Sequence, residues 1–380
     1  MLKSSVIITT VIFVIAISIG FYFFRKSYGV ISDNCSASEN KKQCWESAMV
    51  DILNKKGLAS AFDYVADLYD KEPEFAKDCH SYTHVLGQSA YEQFYESKNL
   101  EMSPKTAYCG YGFYHGFMET LMQSGKSPVE AKEFCELVDE KLAGYTDKTL
   151  TSCYHGIGHG IVDGSDPRAW GDAEAVIAPG LLICGKISDD SVIKYSCATG
   201  VFNSLAIALN FNQYNLKPDS DNPYASCYGL EEDYFKMACY QEMNTHVLNL
   251  AGGDFNKAIN YTKKIFETSY ADPAIEQLAG AAIAYGNRDA NSYILACKTI
   301  ASDGLCIKGL VGGILEHGKP GVEYVEAIDL CNNGNLDSIQ KTACFSFLVS
   351  SSKGLYSAAK LSEICNLISP EFKSSSGCEN

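Results

Sequence analysis

The sequence predicts an all-α protein, in which an N-terminal transmembrane helix is followed by an α-solenoid of disulfide-tied helical hairpins. Three observations favour this fold class: an uncharged apolar run near the N-terminus, sixteen cysteines with neighbours close in sequence, and short amphipathic segments that carry a cysteine near one end. Of the 380 residues, 46% are hydrophobic and 20% are charged, so the chain has enough apolar material for a large buried core.

The apolar run covers residues 5–24, SVIITTVIFVIAISIGFYFF. A helix of about 20 apolar residues matches the thickness of a bilayer core, and we predict an uncleaved membrane anchor over residues 1–29. A cleaved signal peptide is the alternative, because Lys3 supplies a short positive segment, but no small-x-small cleavage site follows the run. Arg25 and Lys26 follow the run directly, so the positive-inside rule alone would keep the C-terminal domain in the cytoplasm.

The cysteines indicate the opposite side of the membrane. Their number is even, and reducing compartments seldom select so many. Buried free thiols and zinc sites are the alternatives, but the chain contains no CxxC sequence. We therefore predict a single-pass protein of the cell membrane whose C-terminal domain is extracytoplasmic.

The spacing of the cysteines suggests disulfides between sequence neighbours. Three of the steps are thirteen residues long and the others are shorter or longer versions, with one pair assigned by subtraction. Spacing alone does not fix connectivity. The predicted pairs are Cys35–Cys44, Cys135–Cys153, Cys184–Cys197, Cys227–Cys239, Cys297–Cys306, Cys331–Cys344 and Cys365–Cys378, and by subtraction Cys79–Cys109.

A glycine follows four of the cysteines at the same distance. The segments CGYGFYHG, CYHGIGHG, CATGVFNS and CIKGLVGG place Gly112, Gly156, Gly200 and Gly309 three residues beyond a cysteine. Glycine inside a helix costs about 1 kcal/mol relative to alanine, so we expect these positions to let helices approach closely. Units of about 35–45 residues that stack on their neighbours predict a curved α-solenoid. We divide it into a helical region with histidine motifs, 30–170, and cysteine-paired helical repeats, 171–380.

The segment YILACKTIASDGLCIKGLVGGILEHG, residues 293–318, resembles the repeat unit of secreted cysteine-rich tetratricopeptide-like proteins, in which a disulfide ties helix A to helix B. The resemblance lies mainly over residues 290–380. It implies a helical-hairpin fold and a binding surface along a groove, and it implies no catalytic residue. It does not extend to the histidine motifs, for which no family is recognised.

The charge of the chain excludes some partners. Without residues 1–29 the formal net charge falls from −15 to about −18, because that segment holds three basic residues and no acidic one. Such a surface repels phosphate backbones and anionic headgroups, so we expect no nucleic-acid partner. The GxxxxGK[ST], GxGxxG and GxSxG motifs are absent, which leaves nucleotide binding and a serine-hydrolase site without support.

The histidines are concentrated in one stretch of the chain. Five of the seven fall within 80 consecutive residues, and each has a histidine or a carboxylate four residues away. On a helix this spacing puts two side chains on one face, where they can bind one ion. The candidate metal ligands are His80, His84, His115, His155, His159 and Asp163, and Glu119 is the candidate catalytic base.

Register across the repeats supports a shared surface. The sixth residue after the cysteine is His115, His159 and Asn203 in successive units, so these residues line one face if the units superimpose. Imidazoles with carboxylates suit zinc, copper, non-haem iron or manganese, and one or two ions could bind. A metal-bound water could then act as a nucleophile with Glu119 as general base. The alternative is that these imidazoles only pack; His246 and His317 are assigned to structural or exposed positions.

Three functions remain open at this stage. The first is a membrane-anchored extracytoplasmic metalloenzyme, hydrolytic or oxidative, and the second is a metal-binding protein without turnover. The third is a non-catalytic repeat scaffold that binds proteins, peptides or envelope components along its groove. Closed coordination of a bound metal favours the second, and an open ligand position favours the first.

Overall fold

The computed structural model describes residue 35 and residues 38–97, 102–143, 148–286, 289–300 and 303–378. The predicted membrane anchor, residues 5–24, lies outside these ranges and stays a prediction. The chain divides into two compact units, 1–48 and 49–380, and the description below concerns the second. Its described residues are helical, with no β-strand among them, which confirms the all-α class.

The helices are short and follow one another closely. In chain order they are α1 (Lys41–Lys56), which begins in the first unit, then α2 (Leu58–Lys71), α3 (Pro73–Lys77), α4 (Cys79–Ser97), α5 (Gly112–Gln123), α6 (Pro128–Leu142), α7 (Thr149–Asp163), α8 (Ala173–Lys186), α9 (Ser191–Asn210), α10 (Ala225–Tyr228), α11 (Asp233–Glu242), α12 (Asn244–Leu250), α13 (Phe255–Thr262), α14 (Thr268–Tyr285), α15 (Ala290–Cys297), α16 (Asp303–His317), α17 (Glu323–Cys331), α18 (Ser338–Lys353), α19 (Ala358–Leu367) and α20 (Pro370–Lys373).

Disulfides tie successive helices together. All eight predicted pairs are present, and no cysteine is free. Most of them join one helix to the next, as Cys135–Cys153 joins α6 to α7 and Cys297–Cys306 joins α15 to α16. Eight bonded pairs indicate an oxidising, extracytoplasmic location.

Seven of the helices form an inner row. In order they are α4, α5, α7, α9, α11, α14 and α16, and each packs against the one before it. The repeated glycines lie at these contacts: a β-carbon added at Gly200 would lie 1.8 Å from the carbonyl oxygen of His155, and one at Gly309 would lie 1.9 Å from that of Glu276. A β-carbon added at Gly112 or Gly156 would likewise lie too close to the carbonyl oxygen of His80 or Tyr114, respectively. The glycines therefore allow backbone-to-backbone contact, as expected.

The inner row closes on itself. At the end of α16, the carbonyl oxygen of His317 accepts a hydrogen bond of 2.8 Å from Tyr69 Oη on α2. Nearby, Lys148 directly precedes α7, and its Nζ lies 2.8 Å from Oε1 of Glu316 in α16. The sequence predicts a curved solenoid with a groove, whereas the helices of residues 49–380 surround a central cavity of about 410 Å³ that is partly open to solvent. The difference arises because residues near 317, at the end of the row, contact residues near 70 and 148, at its beginning.

One helix within the described ranges is long and apolar enough to cross a membrane. It is α9, and 72% of its most apolar window is buried inside the protein. It packs between α7 and α11 in the inner row.

Candidate metal centre

Three neighbouring inner helices carry every candidate ligand. Helix α4 holds His80 and His84, α5 holds His115 and Glu119, and α7 holds His155, His159 and Asp163. Because α5 packs between α4 and α7, the five imidazoles form one group, which we call the histidine cluster. Their ring centroids lie 4.5 to 5.2 Å from those of their neighbours in the cluster. The structure thus brings the predicted residues together.

The backbone before α5 is unusual. Cys109, Gly110 and Tyr111 have φ angles of 57°, 66° and 62°, so three successive residues are left-handed. This conformation costs a non-glycine residue roughly 1–3 kcal/mol, and it persists only where the surroundings enforce it. The Cys79–Cys109 disulfide and the contact of Gly112 with α4 hold this turn. The turn presents the carbonyl oxygen of Cys109 to His80 Nδ1 at 2.9 Å.

That hydrogen bond determines which nitrogen of His80 carries a lone pair. A carbonyl oxygen only accepts, so Nδ1 carries the proton and Nε2 carries a lone pair. His80 Nε2 lies 3.2 Å from His115 Nδ1. Two nitrogens bound tetrahedrally to one zinc ion at about 2.0 Å would be about 3.3 Å apart. The measured contact is a hydrogen bond from His115 Nδ1 to His80 Nε2, and a shared ion would replace it at nearly the same separation.

His84 has an unpaired buried nitrogen. Its Nδ1 lies 3.2 Å from Glu119 Oε1, so the proton belongs on Nδ1 and the carboxylate accepts it. Its Nε2 is buried and has no hydrogen-bond partner among the described residues. Buried polar atoms are almost always paired. A metal-binding histidine commonly donates its other N–H to a carboxylate, and His84 with Glu119 has this arrangement.

His155 is oriented by a hydroxyl. Its Nδ1 lies 2.7 Å from Thr199 Oγ1, and that hydroxyl donates its hydrogen to the carbonyl oxygen of Ser196 at 2.6 Å. Thr199 must then accept from His155 Nδ1. The Nε2 of His155 is therefore unprotonated.

His159 differs from the other four. Asn203 donates its amide N–H to Glu242 Oε2 at 2.9 Å, which leaves Asn203 Oδ1 to accept from His159 Nε2 at 3.0 Å. Ser204 Oγ lies 2.7 Å from His159 Nδ1 and can donate to it. Both nitrogens of His159 have protein partners, so this residue needs no metal ion to satisfy them.

Burial favours the neutral form of four members of the cluster. It lowers the pKa of His80, His115 and His159 well below the ordinary value and that of His155 to about 4. Neutral imidazole is the form that binds metal ions. Behind the cluster, burial and then the charge of Glu119 raise the pKa of Asp163 to about 7. Tyr214 Oη lies 3.4 Å from Asp163 Oδ1.

Part of the cluster faces the central cavity. His80, His115 and His155 line the cavity, whereas His84, His159, Glu119 and Asp163 are not among its lining residues. On other parts of the wall lie Tyr195, Glu242, Glu276, Tyr285 and Glu316.

The cavity also includes a histidine that the sequence analysis set aside. His317 lines it, with its ring centroid 6.3 Å from that of His80. Only closure of the helical row brings residue 317 to residue 80, although the His-Gly pair at 317–318 resembles those at 115–116 and 159–160. His246 instead contacts Asn210 Oδ1 through Nδ1 at 2.8 Å, and it is buried. Its Nε2 also has no hydrogen-bond partner among the described residues, but unlike His84 it belongs to no group of three candidate ligands there.

Two histidine triads could hold a metal ion. His80, His84 and His115 form the first, and His115, His155 and His159 form the second; in each, the ligand atoms lie within 4.8 Å of one another. The same holds for a mixed group, Glu119, His159 and Asp163. Comparisons with protein-family models, curated proteins and solved structures found no match for this chain.

Proposed function

We propose that this chain is an extracytoplasmic metalloenzyme of the hydrolytic class, anchored through residues 5–24, with one metal ion bound by His80, His84 and His115. The observation that carries the proposal is the unpartnered, buried Nε2 of His84 beside two imidazole nitrogens that lie 3.2 Å apart. Zinc fits three imidazoles in a site with a fourth, open position.

The position of the triad supports turnover rather than storage. Two of its members, His80 and His115, line the central cavity, so a bound ion would have a face open to it. Such an ion would supply a water of lowered pKa as nucleophile. His155 lines the same wall with an unprotonated Nε2, and we assign it to orient that water by accepting a hydrogen bond from it.

Glu119 takes a different role from the one that the sequence suggested. It contacts His84 Nδ1 and does not line the cavity. We therefore assign it to orient His84 and to raise the basicity of that ligand, as carboxylates behind metal-bound histidines do.

Cobalt substitution tests the open position. The full chain, purified in detergent and stripped with a chelator, is reloaded with Co²⁺, and its visible absorption is recorded while azide is added. We expect a spectrum of four- or five-coordinate cobalt that shifts with azide, because azide can enter the open position. A cobalt spectrum that does not change when azide is added would indicate closed coordination and contradict turnover. Absence of cobalt binding would contradict the metal site itself.

Removing the disulfide beside His80 should weaken metal binding. The double variant Cys79→Ser with Cys109→Ser opens a loop of 30 residues, which is expected to cost about 3–4 kcal/mol of unfolding free energy. It also releases the left-handed turn that fixes His80, so we expect metal affinity to fall about tenfold or more. Competition with a metal-binding dye measures this affinity.

A matched control separates the two effects. Cys365→Ser with Cys378→Ser opens a loop of 13 residues in the C-terminal hairpin, at an expected cost of about 3 kcal/mol. This variant should keep the metal affinity of the wild type. Equal metal affinity in both double variants would contradict a positioning role for the Cys79–Cys109 bond.

A further inference from the structure

The carboxylates on the cavity wall are not equivalent. Glu316 is paired with Lys148 at 2.8 Å, and Glu276 is paired with Lys308 at 3.1 Å. Glu242 has no cationic partner among the described residues, and its hydrogen bond comes from the neutral amide of Asn203. One carboxylate of the cavity therefore lacks a balancing positive charge.

The surroundings of Glu242 do not favour its charge. Burial, and then the charge of Glu316, raise the pKa of Glu242 to about 7. Burial opposes ionisation of Glu316 too, yet the charge of Lys148 holds the pKa of that carboxyl below its usual value. A buried carboxylate without a cation is unfavourable. The cavity is the direction from which a cation can reach Glu242.

Aromatic rings lie close to the same carboxyl group. Tyr195 and Tyr285 line the cavity, and the charge of Glu242 adds to the effect of burial in raising the pKa of both hydroxyls. Phe347 lines the cavity as well, but Lys308 Nζ already lies 4.9 Å from its ring centroid, so the rings of Tyr195 and Tyr285 are the candidates. Tyr285 is more than half exposed, as expected on the wall of a cavity that is partly open to solvent. Ammonium groups are attracted to aromatic faces, and more strongly where water is excluded.

We propose that the central cavity binds a molecule with a protonated amine, whose ammonium group pairs with Glu242 and contacts the neighbouring aromatic rings. A volume of about 410 Å³ is that of a small-molecule site. The wall formed by His80, His115 and His155 then faces the rest of the ligand. If the bound amine is the substrate of the proposed metal site, this inference rests on the proposed function. Recognition of the ammonium group itself requires no metal.

Binding of small amines to the full chain in detergent tests the proposal. Calorimetric titrations use 1,5-diaminopentane, spermidine and Nα-acetyl-lysine amide, whose side-chain amine is free. The neutral control is 1-pentanol, and the anionic control is glutarate. Each titration is made both on protein stripped of metal with a chelator and on metal-loaded protein. We expect at least one amine to bind at least tenfold more tightly than both controls, with or without metal. Binding of the diamines would indicate a free amine as ligand, and binding of the lysine amide alone would indicate a peptide side chain.

The variant Glu242→Gln identifies the partner. Glutamine keeps the shape of the side chain and an oxygen for Asn203, so the fold should persist. We expect amine affinity to fall about tenfold or more, because a charge-assisted hydrogen bond is lost, while metal content stays unchanged. The control Asp329→Asn removes an exposed charge outside the cavity and should alter neither.

Two results would overturn this inference. One is the absence of any preference for the amines over both controls in the wild type, and the other is full amine affinity in Glu242→Gln. Wild-type protein that binds the amines but binds no metal ion would instead contradict only the metal site. The two proposals therefore fail separately.

Discussion

Gly200→Ala is expected to destabilise the fold by about 3 kcal/mol or more and to disturb the histidine cluster. The new methyl group would lie 1.8 Å from the carbonyl oxygen of His155 and 2.8 Å from its carbonyl carbon. Both are backbone atoms of α7, so no side-chain rotation relieves the clash, and α7 and α9 must separate. Overpacking of this kind costs about 1–3 kcal/mol and sometimes more. Because α7 packs against α5, which carries the proposed ligand His115, metal affinity should fall too.

Gly304→Ala is the matched control. Gly304 also lies in an inner helix, α16, but nothing is within 4 Å of a β-carbon at that position. Alanine there should be neutral or stabilising by up to about 1 kcal/mol, because of its higher helix propensity. Denaturant unfolding with intact disulfides, followed by circular dichroism, measures both variants. Equal stability of the two would show that close contact between α7 and α9 is not needed.

The local parts of this fold are readable from the sequence. The cysteine spacing predicts seven of the eight disulfides, because each joins segments that are neighbours in the chain, and the eighth, Cys79–Cys109, follows by subtraction. Glycine three residues after the cysteine predicts close helix contacts. The HxxxH pairs predict imidazoles on one helix face, and the register of His115, His159 and Asn203 predicts their alignment. The His115 and His159 rings do stack, with centroids 4.5 Å apart, and His159 contacts Asn203.

Closure of the helical row was not predictable in the same way. It depends on the small rotation between successive helix pairs, and no residue pattern in the sequence reports that rotation. The ion pair of Lys148 with Glu316 and the approach of His317 to His80 join residues more than 160 positions apart. The role of Glu242 as a cavity carboxylate without a cation follows from the same closure.

The assignment of individual ligands also needed the structure. Sequence spacing treats His155 and His159 alike, since they belong to one HxxxH motif. The structure separates them, because Thr199 leaves one nitrogen of His155 free and Asn203 with Ser204 engages both nitrogens of His159. Such differences arise from side chains on the adjacent helix α9. The membrane anchor is the part of the account that stays a prediction from sequence.

His84→Ala is expected to have the largest effect on metal binding. It removes the buried nitrogen that has no protein partner, and it leaves Glu119 without its contact to an imidazole. His159→Ala should reduce metal content far less, because both nitrogens of that residue already bind protein groups. His246→Ala removes a buried histidine outside the cluster and controls for general destabilisation.

The most direct test of the metal centre is elemental mass spectrometry of the full chain, produced in an oxidising compartment, before and after chelation and in these three variants. The account predicts about one equivalent of zinc in the wild type, little in His84→Ala, and wild-type content in His246→Ala. Copper, iron or manganese at the same stoichiometry and with the same variant pattern would change the identity of the ion and keep the site. Wild-type protein that holds no metal and takes up none of these added ions, or His84→Ala that retains a full equivalent, would contradict the assignment of the histidine cluster as a metal centre.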